Sequence, residues 1–173
     1  YLKDQFTFFF TLSDTIKESL TIRMHLASSY YKYKEIIQWE ENFPDAKIDI
    51  GKKNIRKLTS DSKLVIHSYD STGILETLAL NIPTIAFWQN GLDHLNKYSI
   101  PYYQMLVDAG IIHLSAESAA NKVNEIYGDV ENWWKQEHIQ NAREKFCEVY
   151  SRKSDNPVKD LKRIILQEIN SGN

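Results

Sequence analysis

Cysteine is almost missing from this sequence, with Cys147 as the one cysteine in 173 residues. A single thiol excludes an internal disulfide and leaves a thiolate metal site without the several cysteines it needs. We interpret Cys147 as a helix-packing residue. The composition predicts a protein of a reducing, cytoplasmic compartment.

Long apolar runs and clusters of one charge are missing as well. The longest apolar candidate is interrupted by Glu76, Asn81 and Pro83, so it falls short of the roughly 20 apolar residues of a membrane-spanning helix. The formal net charge is −2, with acidic and basic residues interspersed. Nucleic-acid surfaces need clustered lysine and arginine, and we therefore expect no nucleic-acid partner.

The familiar short catalytic motifs are also missing. The chain contains no GxGxxG or GxxxxGK loop, no nucleophile elbow and no metal-ligand spacing. These absences weigh against dinucleotide-dependent dehydrogenases, P-loop ATPases and α/β-hydrolases. We expect no metal site and no cofactor.

Short apolar segments alternate with helical patterns along most of the chain. The predicted strands are 19–24, 46–50, 63–67, 84–87 and 111–114. The predicted helices are 3–12, 29–42, 54–60, 73–81, 101–109 and 115–127, followed by a helical tail over about 129–173. This alternation predicts an α/β fold, a Rossmann-like open parallel sheet of about five strands flanked by helices, within a single domain spanning 1–173.

The turn between the third and fourth predicted strands is the most informative segment. Ser71, Thr72 and Gly73 open a helix, whose first N–H groups lack internal partners and attract anions. The hydroxyls of Ser71 and Thr72 could bind a phosphate, and Glu76, one turn further on, could bind a ribose diol. The alternative is that Thr72 merely caps the helix, Gly73 eases the turn and Glu76 complements the helix dipole.

Polar residues follow several of the predicted strands, where ligands of open parallel sheets bind. Arg23 could clamp a phosphate or pair with a local carboxylate, and His25 and His67 could bind a phosphate or satisfy local backbone groups. Asp70 could bind a sugar or base, or form an Asx turn. Asp93 and His94 form an acid–histidine pair in the loop after the fourth strand, and a catalytic role for this pair is a further hypothesis.

The segment Ser68-Tyr-Asp-Ser-Thr-Gly-Ile-Leu-Glu-Thr-Leu-Ala-Leu-Asn-Ile-Pro-Thr-Ile resembles the donor site of GT-B glycosyltransferases and their relatives. A wider set of motifs resembles a transferase family encoded with surface-polysaccharide genes. These motifs are Leu20-Thr-Ile-Arg-Met-His, Ile111-Ile-His, Glu117-Ser-Ala-Ala, Val130-Glu-Asn-Trp-Trp and Arg143-Glu-Lys-Phe-Cys, and with the first segment they cover most of 20–150.

This resemblance implies a nucleotide-sugar or nucleotide-polyol donor held by a C-terminal domain, with the acceptor and often the base supplied by an N-terminal domain. By position, Ser71, Thr72 and Gly73 match the donor-phosphate turn and Glu76 the acidic residue of the donor helix. Arg23 and His25 match a basic pair at a strand end. The resemblance assigns no catalytic residue. It also implies that the tail, including Trp133 and Trp134, packs across the junction between the two domains.

The sequence begins with Tyr1 rather than methionine, which predicts a shortened or processed chain that lacks the N-terminal domain. The leading hypothesis is therefore the donor-binding domain of a cytoplasmic GT-B-like transferase in surface-carbohydrate synthesis, peripheral to the inner face of the membrane through the full-length protein. Two alternatives remain open, a sugar-nucleotide epimerase domain that shares the donor site and a noncatalytic interaction module.

Overall fold

The computed structural model of the chain describes residues 1–24 and 34–171. Its strands are β1 (Thr21–Arg23), β2 (Lys47–Asp49), β3 (Val65–His67), β4 (Thr84–Phe87) and β5 (Ile112–His113). The first six helices are α1 (Leu2–Thr11), α2 (Asp14–Ser19), α3 (Lys34–Asn42), α4 (Ile55–Ser60), α5 (Thr72–Ala79) and α6 (Ile100–Asp108). They are followed by α7 (Ala116–Ile126), α8 (Val130–Trp134), α9 (Glu137–Tyr150) and α10 (Pro157–Ser171), with a short 3₁₀ turn at Tyr127–Asp129.

The α/β alternation predicted from the sequence is confirmed, and α2 is the one described helix that the sequence analysis missed. This helix has only six residues, and Ile16 is its single buried side chain. So short a segment has no apolar stripe that could reveal helical periodicity. Part of the predicted helix 29–42 also falls outside the described residues.

The described strands form two small parallel sheets, not the predicted single sheet of five. β1 pairs with β2, with Ile22 opposite Ile48. In the second sheet β4 lies between β3 and β5, with Ile66 opposite Ile85 and Ala86 opposite Ile112. Strands of two to four residues offer few ladder bonds, and none of these bonds joins β1 to β3 in the described part of the chain.

Helix α1 packs against both sheets, which are not joined to each other by strand hydrogen bonds in the described part of the chain. Its adjacent residues Phe8 and Phe9 enter different apolar clusters. Phe8 stacks on Phe87 of β4, with ring centroids 4.8 Å apart. Phe9 packs edge-on against Trp39 of α3, at 5.4 Å. The helix therefore contacts the clusters of both sheets through these two neighbouring side chains, and side-chain packing replaces the missing strand pairing.

The far end of α5 is held by the helices near the C-terminus. Asn81 follows the helix in the left-handed region, with φ of 57°. Its side-chain oxygen accepts from Trp134 Nε1 at 2.9 Å, and Arg143 Nη1 donates to Leu78 O at 3.1 Å. Trp133 and Trp134 are only 6% and 4% exposed. They belong to this chain's own core, which corrects the interpretation that they lie at a domain junction.

The apolar face that does lie open belongs to α10. Its residues Val158, Leu161, Ile164, Ile165, Leu166 and Ile169 are between 49% and 77% exposed. No helix in the described part of the chain is long and apolar enough to cross a membrane.

Candidate functional site at the ends of β3 and β4

The loops after β3 and β4 meet through a direct side-chain contact. His94 Nε2, from the loop after β4, lies 3.2 Å from Asp70 Oδ2, in the loop after β3. Since parallel strands end at one edge, this contact marks the edge where α/β sheets bind ligands. The predicted pairing of His94 with its sequence neighbour Asp93 is replaced by pairing with Asp70. Adjacent residues need not point the same way, and the acid comes from the neighbouring loop.

The N-terminus of α5 opens directly after Asp70. Ser71 is the N-cap residue, yet its side chain accepts no capping bond. By contrast, the caps of α4 and α7 do accept such bonds, Asn54 from Arg56 N and Lys57 N, and Ser115 from Ser118 N. Thr72 is exposed. The hydroxyls of Ser71 and Thr72 are therefore not used to cap α5, unlike the capping role left open by the sequence.

Gly73 lies beneath the ring of His67. A Cβ at this glycine would come within 2.9 Å of His67 Cε1 and 3.3 Å of its Nδ1. Real Cβ atoms are essentially never as close as 2.9 Å to another heavy atom, so the site needs glycine for this approach. The turn between β3 and α5 is thus shaped by the histidine as well as by the backbone.

His67 is neutral at neutral pH, because burial lowers its pKa to about 4. Its Nε2 lies 3.2 Å from Thr77 Oγ1, and this hydroxyl is 3.1 Å from the carbonyl of Ile74. Because the hydroxyl donates its proton to Ile74 O, the histidine must donate from Nε2, which leaves the lone pair on Nδ1. A neutral ring offers no positive charge to a phosphate, and phosphate binding by His67 stays a prediction.

Asp70 lies in an aromatic corner. Tyr103 from α6 places its hydroxyl 3.5 Å from Asp70 Oδ1, at the long limit of a hydrogen bond. Burial and the nearby charge of Asp70 raise the pKa of Tyr103 to about 12, so the phenol remains protonated. Trp88 meets His94 edge-on at 6.0 Å between ring centroids. Trp88 and His94 belong to a loop that the sequence placed at the crevice, but nothing in the sequence indicated Tyr103.

Glu76 is exposed on the side of α5, one turn from its start. Its side chain makes no hydrogen bond or ion pair with the described residues, so its carboxylate is available to a ligand. The structure therefore leaves the ribose-binding prediction open without testing it.

Arg23 ends β1 but is committed to its own sheet. Its Nη1 forms a hydrogen-bonded ion pair with Asp49 of β2 and donates to Lys53 O at 2.8 Å, while Nη2 donates to Gly51 O at 3.3 Å. Burial would raise the pKa of Asp49, but the hydrogen bond and charge of Arg23, helped by backbone N–H groups, hold that pKa below its usual value. This is the local carboxylate pairing that the sequence left as an alternative.

His25, the other member of the predicted basic pair, lies outside the described residues. No hydrogen bond or ion pair joins Arg23 to residues 67–76 within the described ranges 1–24 and 34–171. The structure thus brings Asp70, Ser71, Thr72, Gly73 and His67 together, with Glu76 one turn away, and leaves Arg23 on the other sheet.

The first turn of α1 lies against the same two loops. Gln5 Nε2 donates to Ser68 Oγ at 2.8 Å, and Tyr1 meets Tyr69 edge-on at 5.6 Å. Asp4 accepts a hydrogen bond from Gln89, which follows β4. The sequence carried no sign of these contacts, because they join residues more than 60 positions apart. These contacts hold the loops after β3 and β4 against the first turn of α1.

Comparison with known proteins gives one family. Residues 1–165 match the LIC12162 family transferase. The chain belongs to the LIC12162 family of transferases. No curated protein and no solved structure matches it.

Since the LIC12162 family consists of transferases, group transfer is the chemistry to consider for this site. A transferase must bind a donor and stabilise the leaving group, and fixed N–H and O–H donors aimed at developing negative charge can do so. Within the described part of this transferase, no three His, Cys, Asp or Glu side chains are grouped so that they could hold a metal ion. The start of α5 offers N–H and O–H donors of this kind, from its backbone and from Ser71 and Thr72.

Proposed function

We propose that the chain is the donor-binding domain of a GT-B-like transferase acting in surface-carbohydrate synthesis. The donor is a nucleotide-activated sugar or polyol, and its diphosphate binds at the N-terminus of α5. The observation that carries this proposal is the N-cap Ser71, whose side chain makes no capping bond. An anion bridging the helix N-terminus and the two hydroxyls would take the place of the missing cap.

Each member of the site has a separate task in this proposal. The hydroxyls of Ser71 and Thr72 and the first N–H groups of α5 bind the diphosphate. Gly73 keeps the backbone free of a side chain, and the His67 ring supports the turn at 2.9 Å from the position of the missing Cβ. Glu76 accepts hydrogen bonds from the ribose hydroxyls, for which its exposed carboxylate has no competing partner.

We assign Arg23 to the edge of the first sheet and not to the diphosphate. Reaching a ligand would break its ion pair with Asp49 and its bonds to two carbonyls. Leaving Asp49 without its guanidinium partner in a buried position would be costly. The role of His25 stays a prediction.

Support for a transferase over an epimerase comes from the LIC12162 family, which is a family of transferases. Both activities could use the same donor site, and analysis of the products formed by the full-length protein separates them. An N-terminal domain that supplies the acceptor remains part of the proposal.

Calorimetric titration with CMP, CDP, UDP, GDP and TDP tests the proposal, using wild-type protein and Ser71→Ala/Thr72→Ala. Losing two charge-assisted hydrogen bonds should weaken binding by about 1–3 kcal/mol, roughly 5- to 150-fold in Kd. Ser13→Ala/Thr15→Ala is the matched control, because Ser13 is also an N-cap without a side-chain bond and Thr15 is also exposed. Equal affinity of the folded double variant and wild type would contradict the assignment.

A further inference from the structure

Asp70 and His94 form a carboxylate–imidazole pair that the donor site does not use. His94 Nε2 lies 3.2 Å from Asp70 Oδ2, and Tyr103 approaches the other oxygen of the same carboxylate at 3.5 Å. The protonated phenol of Tyr103 approaches Oδ1 of Asp70, while the imidazole of His94 contacts Oδ2. The carboxylate is thereby fixed between α6 and the loop after β4.

This contact determines where the proton of neutral His94 resides. An ionised carboxylate can only accept hydrogen bonds, so the imidazole must donate to Asp70 from Nε2. The lone pair of the neutral ring is then on Nδ1, where it can accept a proton. In catalytic His–Asp pairs a carboxylate selects one tautomer and orientation of the histidine in this way.

The ring of His94 is also held by packing. Trp88 meets it edge-on, with an angle of 86° between the ring planes. Trp88 itself is buried, and its Nε1 donates to Gly91 O at 3.0 Å, which closes the loop between the two aromatic residues. The imidazole is therefore oriented from two directions, by Asp70 and by Trp88.

Despite this support the pair is open to solvent, since 44% of the His94 side chain and 28% of the Asp70 side chain are exposed. A buried structural pair would not be reachable by a substrate. Asp70 is also directly followed by Ser71, the N-cap residue of the proposed donor site. The imidazole thus belongs to the same edge as the donor and is reachable by a second substrate.

We propose that His94 is the general base of the transfer reaction and that Asp70 is its positioning residue. This inference rests on the proposed function, because the reaction needs a nucleotide-activated donor and an acceptor hydroxyl. The acceptor hydroxyl gives its proton to Nδ1 of His94, and its oxygen bonds to the transferred carbon or phosphorus atom. The bond from that atom to the nucleotide breaks, and the nucleotide leaves with the electron pair.

The groups around His94 give the proposal a definite pH signature. Asp70 carries a charge and contacts the ring, whereas Trp88 is uncharged. Tyr103 remains a neutral phenol, because burial and the charge of Asp70 raise its pKa to about 12. Asp93 and Lys97, in the same loop, are exposed. A base must be unprotonated to accept a proton, so the rate should rise with pH. A protonated histidine that bound phosphate would give the opposite slope.

The first experiment measures the tautomer of His94 by ¹⁵N NMR of the histidine rings, with His94→Gln to assign the signal among the five histidines. We expect the neutral ring to be protonated on Nε2, and Asp70→Asn to turn this single tautomer into a mixture. A mixture in wild-type protein, or a tautomer that ignores Asp70→Asn, would overturn the role of Asp70.

The second experiment measures nucleotide release by the full-length transferase from UDP-, GDP- and TDP-hexoses and CDP-glycerol, with water as acceptor. His94→Gln should lower the rate about 100-fold or more and abolish its rise with pH, while nucleotide affinity changes less than about 2-fold. His138→Gln, on the exposed side of α9, is the matched control. A His94→Gln rate within about 3-fold of wild type, or a wild-type rate that falls as pH rises, would overturn the proposal.

Failure of this inference can be told apart from failure of the proposed function. If wild-type protein binds no nucleotide by calorimetry, the donor site is wrong. If nucleotide binds through Ser71 and Thr72 but turnover does not depend on His94, the donor site stands and the base is wrong.

Discussion

His67 and Gly73 require each other at the start of α5. The ring is tied to Thr77 through Nε2, at 3.2 Å, so it cannot move aside without losing that bond. The ring in turn packs where a larger residue would place its Cβ, which at position 73 would lie only 2.9 Å from His67 Cε1. A turn of this shape presents backbone N–H groups without a side chain in front of them, which is what a phosphate needs.

Gly73→Ala should destabilise the protein by about 1–2 kcal/mol, because overpacking against His67 outweighs the gain in helix propensity. Gly128→Ala is the control, since a Cβ there would meet nothing within 4 Å. That substitution should be neutral or stabilising by about 0.4–1 kcal/mol. Urea unfolding of both variants measures the difference. Equal stability of the two variants would show that the His67 ring moves freely.

Sequence reasoning located these residues but not their roles. The apolar run before His67 and the polar turn after it predicted the strand, the turn and the helix. It could not predict that the imidazole would be neutral, since burial lowers its pKa, and that burial depends on how α5 packs over the end of β3. Likewise, the sequence offered Asp93 only as one hypothesis for the partner of His94, and nothing in it pointed to Asp70, which lies in another loop.

The element that presents the site is α5, and the chain fastens it at its far end. Arg143 of α9 is buried and donates to the last turn of α5, while Trp134 of α8 donates to Asn81 just beyond it. A cation at a helix C-terminus also complements the helix dipole. The start of α5 is thus left open to a ligand while its end is fixed.

Arg143→Met should lower the free energy of unfolding by about 1–2 kcal/mol, since it removes the charge-assisted hydrogen bond to Leu78 O, together with bonds to Gln140 and Glu144, but retains an apolar stem. Lys145→Met, an exposed position on the same helix, should change it by less than about 0.5 kcal/mol. Thermal or urea unfolding of the pair tests this. A similar loss in both variants would mean that Arg143 does not anchor α5.

Most elements could be predicted because their signals are local. β4 is buried at every position, as its continuous apolar run Thr84–Phe87 indicates, and α7 begins at a serine that does cap it. The division into two sheets could not be predicted in this way. It depends on which of the short strands pair and on the packing of Phe8 and Phe9 into separate clusters. Both are contacts between segments that are distant along the chain.

On the scale of the whole molecule, the described chain divides into a packed body and a helix that contributes little to it. Phe146 and Ile139 of α9 are fully buried, whereas the apolar side chains of α10 are exposed. Burial is what stabilises a helix of this length, so α10 should add little to the stability of the body.

Deleting residues 157–173 should therefore change the free energy of unfolding by less than about 1 kcal/mol. Phe146→Ala gives the contrast, because opening a cavity in the core should cost about 3–5 kcal/mol. Denaturant unfolding compares the two proteins. A loss of several kcal/mol on deletion would show that α10 packs on the body in solution.

Binding of a nucleoside diphosphate at the start of α5 can be observed residue by residue with amide NMR. In a ¹⁵N–¹H titration with CDP, UDP, GDP and TDP, we expect saturable shifts centred on the amides of residues 71–74, with the amides at the start of α2 unchanged. Shifts centred elsewhere, or none with any nucleotide, would contradict it.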